Sequence, residues 1–203
     1  MNKPVYKIII SVLLSVLIFT SCGQQNKGLN ADKVSATNVN INSERGTFEN
    51  TINSYYKNEV SKDSTFLSKY FLNSKMASVE DVKKMLKAYK VSKMKLIKLY
   101  NVKTNGNYVV ATSAYNTFFE GISDPCPNIE VIALKKKNNV WYIINDYSDI
   151  SENDAKWLKD TAMNEKQQIG TNADLQDILQ KNDGFTKKNQ AFFDNAQKIL
   201  QEN

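Results

Sequence analysis

The chain has 203 residues, 41% of them hydrophobic, so it can bury a core of ordinary domain size and is not globally disordered. Its net charge is +6, nearly all of it lysine; Arg45 is the only arginine, which leaves little capacity for the bidentate phosphate and base contacts of nucleic-acid readers. There is no histidine, which excludes Ser-His and Cys-His nucleophile pairs and imidazole metal sites.

The first stretch reads as an address. Lys3 and Lys7 precede an apolar run, Ile8 to Phe19, that fits a signal-peptide core and is short for a bilayer of about 30 Å. The run ends in Phe19-Thr20-Ser21-Cys22, which resembles the lipobox of bacterial lipoproteins, with Phe19 where leucine is commoner. That resemblance implies cleavage before Cys22 and a diacylglycerol on its sulfur. The protein would then be lipid-anchored outside the cytoplasm, on the cell membrane or an outer membrane. The alternative is an ordinary secretory signal with an incidental cysteine. Removing residues 1–21 takes two lysines away and leaves a net charge of +4. With Cys22 acylated, Cys126 has no partner for a disulfide. Residues 22–42 are polar and Asn-rich and read as a tether.

From Ser43 to Ile150 the pattern predicts a folded unit. Ser43 is placed to cap a helix whose Phe48, Ile52, Tyr55, Tyr56 and Val60 form one stripe. Phe66, Leu67, Tyr70 and Phe71 mark a short second helix. Ser78 and Asp81 have capping-box spacing ahead of Val82, Met85, Leu86 and Tyr89. Strand signals follow: Met94 to Lys103, a hairpin turn at Asn105-Gly106, Tyr108 to Phe119, Ile129 to Lys137, a tight turn at Asn138-Asn139, and Val140 to Tyr147. The remainder, residues 151–203, reads as a helical extension, with Ser151 capping the first helix, Gly170 ending it, and Gly184 breaking a short helix around Leu175, Ile178 and Leu179.

This order predicts an α+β fold, with N-terminal helices packed on a curved four-stranded antiparallel meander and C-terminal helices after it. Residues 47–150, closing on the aromatic strand Val140-Trp141-Tyr142-Ile143-Ile144, resemble the NTF2-like and cystatin-like group. The resemblance implies a cone-shaped interior between sheet and helices. Members of that group include enzymes, small-molecule binders and protein-binding scaffolds, so the fold alone does not choose among them.

Several residues are candidates for function. Tyr55, Tyr56, Tyr115, Phe118, Trp141 and Tyr147 can line a pocket or simply fill the core. Cys126 lies between two prolines with no cation or base beside it in sequence to activate the thiol. Asp146, Asp149, Glu152 and Asp154 are dense enough for a cation, yet match no EF-hand spacing and suit a helix N-terminus better. Glu120, Glu130 and Asp146 are the carboxylates that an acid–base mechanism would use. No catalytic residue, metal site or cofactor is assigned. Between Lys75 and Lys98 eight lysines stand against Glu80 and Asp81; Lys83, Lys84, Lys87 and Lys90 fall off the apolar stripe of their helix. They are a solvated face or a membrane-facing basic surface. Three functions follow as expectations: a lipid-anchored binding module for a small ligand or protein partner, a pocket-carboxylate enzyme, or an assembly lipoprotein of the cell envelope. Nucleic acid is not expected as a partner.

Overall fold

The computed structural model describes residues 45–59, 64–77 and 79–201. The expectations for Cys22, the tether, and the caps at Ser43 and Ser78 lie outside these residues. The chain is α+β: a four-stranded antiparallel sheet in the order β1-β2-β3-β4 (Val91–Asn105, Tyr108–Phe119, Cys126–Lys137, Val140–Ile143), with five α-helices among the described residues. Helices α1 (Phe48–Glu59) and α2 (Val79–Ala88) precede the sheet, joined through short 3-10 helices at Ser64–Tyr70 and Ser74–Met76; α3 (Glu152–Ile169), α4 (Ala173–Lys188) and α5 (Gln190–Gln201) follow it.

Local chemistry accounts for most boundaries. The Thr47 hydroxyl accepts the Asn50 N–H at 3.1 Å, so α1 is capped one residue before Phe48. Ser151 caps α3 by accepting the Asp154 N–H. At the first hairpin Asn105 pairs with Tyr108, which makes Gly106-Asn107 the turn; only Gly106 is left-handed, at φ 55°. Glycine at the first central position is the type II′ requirement, so Asn105 closes the ladder rather than forming the turn. Asn138 and Asn139 both take positive φ, at 52° and 60°, as a type I′ turn demands.

Strand β4 and helix α4 also depart from the sequence expectation. Strand β4 ends at Ile143, because Asn145 leaves the sheet to bond the Asn73 backbone in both directions, at 3.0 and 2.9 Å. Helix α4 runs through Gly184 to Lys188. A mid-helix glycine costs only about 1 kcal/mol, and the next residue, Phe185, is buried against Phe119 and Phe193.

The sheet has two covered faces. Strand alternation turns Val109, Ala111 and Tyr115 inward with Ile132 and Leu134, against Ile52, Tyr55 and Tyr56 of α1 and Phe71. Trp141 joins this inner core, edge-on to Phe48 at 5.8 Å between centroids. The opposite residues, Tyr108, Val110, Val131 and Ala133, pack with Leu158 and Ala162 of α3. A third cluster joins Tyr89, Phe119 and Cys126 to Phe185 and Phe193. The three final helices therefore pack on the sheet and on α2 rather than projecting from the unit. Asn182 of α4 donates to the Pro127 carbonyl at 2.8 Å, on a part of β3 that the four-residue β4 does not reach.

Candidate functional site

The inner face holds a polar cluster in the middle of the core. Ser113 and Glu130 are register partners on β2 and β3, so both point to the side that carries α1. From α1, the Tyr56 hydroxyl donates to Glu130 Oε1 and lies 2.7 Å from Ser113 Oγ. Its ring stacks on Tyr115, centroids 4.5 Å apart. All four residues are buried. Burial lifts the Glu130 carboxyl to about 7, opposed by the hydrogen bond from Tyr56. Burial, reinforced by the Glu130 charge, holds the Tyr56 phenol well above the ordinary range. A carboxyl near neutrality has the right affinity for proton transfer. Here, however, it is sealed by side chains that are themselves fully buried, and a reaction needs room for a substrate atom.

The expected pocket aromatics divide. Tyr55, Tyr56, Tyr115 and Trp141 share the inner core, at 8% exposure or less. Phe118 lies half-buried on the other side of β2, under the Lys93 ammonium at 5.5 Å. Tyr147 packs at the edge of the α3 cluster, with Lys159 over its ring.

The remaining candidates are placed individually. Burial pushes the Cys126 thiol up to about 12, so it is not a thiolate nucleophile at neutral pH. Asp146 is held below the usual carboxylate range by the Asn73 side chain and by Ser148. Asp154 bonds the Ser151 cap. Among the described residues, no three His, Cys, Asp or Glu side chains converge as a metal site would require. Glu130, expected near a strand end, sits within β3. Lys83, Lys84, Lys87 and Lys90 are all exposed; Lys83 pairs with Glu80 at 3.0 Å, an exposed contact of little energetic weight.

Glu165 and Asn182 were not singled out from sequence. Glu165 is buried under β2, where Thr112 donates to it at 3.2 Å. Its spacing from Leu158 and Ala162, on the apolar stripe of α3, was the available signal. Asn182 gave no sequence signal. Arg45, the chain's only arginine, is buried and lines an open groove of about 340 Å³ with Lys69, Lys137 and Asn138. A second concavity of similar size lies by Asn73, Asp146 and Asp149.

No known protein family matches the chain, and no curated protein matches it in sequence. Among the described residues no helix is long and apolar enough to cross a membrane.

Proposed function

We propose that this protein is an exported, lipid-anchored module of NTF2-like build that acts through its outer surface, docking its α2 lysine face on anionic lipid headgroups of the envelope. The observation that carries the reading is the filled interior. Tyr56 and Tyr115 stack within the inner core, with Glu130 bonded to Tyr56 and buried beside them. That leaves the surface for recognition, where Lys83, Lys84 and Lys87 are exposed on α2 and Lys90 is exposed just past its end. Each lysine near an anionic leaflet contributes about 1 kcal/mol, and the anchor at Cys22 keeps the face within reach. Helices α1 and α2 ahead of an antiparallel meander support the NTF2-like build.

Two measurements test this. In cells, Cys22→Ser should abolish palmitate labelling and release the protein or trap its precursor; unchanged labelling and membrane fractionation would remove the anchor from the reading. In vitro, the chain from residue 23 onward should sediment with anionic vesicles, less so as salt rises, and less again with all four lysines changed to Gln. No binding at low salt would leave these lysines as a solubilising surface.

A further inference from the structure

The sheet ends in two unlike edges. The β4 edge is short and covered. The Leu72 N–H bonds the Ile143 carbonyl at 2.8 Å where β4 ends, and Asn182 meets the part of β3 that β4 leaves bare. The β1 edge is long and bare. Of its fifteen residues, Val91–Asn105, only Met94 is buried, whereas ten of the twelve residues of β2 are. The backbone of β1 pairs with β2 on one side. Among the described residues no other segment bonds that backbone. Its outward N–H and C=O groups are a ready ladder for one more strand.

A bare edge can take any extended chain, and charge decides which one it suits. The hairpin from Val91 to Phe119 carries Lys93, Lys95, Lys98 and Lys103 and no Asp or Glu. All four lysines are exposed. Lys93 lies over the Phe118 ring, and Lys98 is engaged by the Tyr100 ring and, at 3.7 Å, by Asp174. Lys95 and Lys103 have no carboxylate partner among the described residues. A fifth strand sets each of its side chains beside one of β1, with Cβ atoms about 5 Å apart. A second copy of β1 brings lysine and no acid in any register. Register shifts at Val91/Lys93, Leu96/Lys98 and Tyr100/Lys103 interrupt the strand as well, and a bulged edge that bears lysine resists joining its own copy. The same lysines favour a strand that carries Asp or Glu. Ile97 and Val102, both exposed, offer that strand apolar neighbours.

We propose that β1 takes an extended acidic segment of a partner protein as a fifth strand, main chain to main chain, with carboxylates beside Lys95 and Lys103. This goes beyond docking on lipid: it uses other lysines and needs no anchor.

The test is nuclear magnetic resonance on the full chain in neutral detergent, with a capped decapeptide alternating Thr and Glu as the probe. In the free protein, a monomer by sedimentation, the β1 amides that face away from β2 should exchange fast. The peptide should shift β1 resonances saturably and slow that exchange by about tenfold when nine-tenths of the sites are filled. Its backbone-methylated form keeps the charge and loses the N–H donors, and it should protect nothing. A Thr–Lys decapeptide should not bind. Lys95→Glu with Lys103→Glu, at exposed sites, should weaken affinity roughly tenfold, the scale of two charge pairs across a ladder; the milder pair Lys95→Gln with Lys103→Gln should fall between. The proposal is overturned by β1 amides already protected in the free monomer, which would mean that another part of this chain covers the edge. Their protection in a dimer would overturn it in favour of a second copy. Equal protection by the methylated peptide, equal affinity in the Glu variant, or no saturable shift in β1 would overturn it too.

Discussion

Strand β2 carries a buried carboxyl contact on each of its faces, at consecutive residues. On the inner side Ser113 meets Tyr56 and, through it, Glu130; on the outer side Thr112 donates to Glu165. The inner carboxyl belongs to a neighbouring strand and is gripped by a helix, so three elements meet at it. The outer one reaches down from α3 to a single strand hydroxyl at 3.2 Å. The inner contact is thus built into the sheet–helix joint, whereas the outer one fastens a helix laid over a finished sheet. A carboxyl buried in this way, with its partner on the protein, ties its ionisation to the stability of the fold.

The largest expected effect separates the two cores. Trp141→Ala removes an aromatic that joins α1 to β4 and should cost about 3–5 kcal/mol in denaturant melts. A loss below about 1 kcal/mol would place its weight on the surface and undo the account of the inner core.

Next comes the pH dependence of the inner carboxyl. Glu130 rises from an ordinary 4.5 to about 7 in the folded protein. The folded state therefore keeps a proton that the unfolded chain gives up. Its contribution to stability is fully present below pH 4.5 and is lost as pH rises to about 7, a change of roughly 3 kcal/mol. Glu130→Gln retains an acceptor for Tyr56 and should remove that slope. Parallel pH profiles for parent and variant would show instead that Glu130 ionises freely in the fold.

The smallest effect compares the two fasteners directly. Tyr56→Phe leaves the buried Glu130 without its phenol donor and should cost about 1–3 kcal/mol. Thr112→Val keeps the shape on the outer side and strips one longer bond from Glu165, so its cost should lie at the lower end of that range. Equal losses would mean that the two faces are held alike.

Much of this was readable beforehand. Alternation on β2 separated Val109, Ala111 and Tyr115 from Val110, Ala114 and Phe118, and the structure keeps that separation. Glu130 could have been marked as an inward carboxyl, since it shares parity with Ile132 and Leu134. Its partners could not, because Tyr56 is 74 residues away and only the docking of α1 brings the hydroxyl to it. Arg45 stood out as the single arginine, but its groove is assembled from the 3-10 segments and the β3–β4 turn.

What the sequence alone determined is what short-range periodicity and φ preference write: the α+β order, the four strands, the Ser151 cap and the Asn138-Asn139 turn. These depend on φ preferences and on hydrophobic spacing within a few residues. The tertiary structure decided the rest. It ended β4 early by pairing Asn145 with Asn73, carried α4 through Gly184 by burying Phe185, and brought Tyr55, Tyr56, Tyr115 and Trp141 into one core. Each of those outcomes turns on contacts between residues far apart in the chain, whose free energy outweighs a local preference of about 1 kcal/mol.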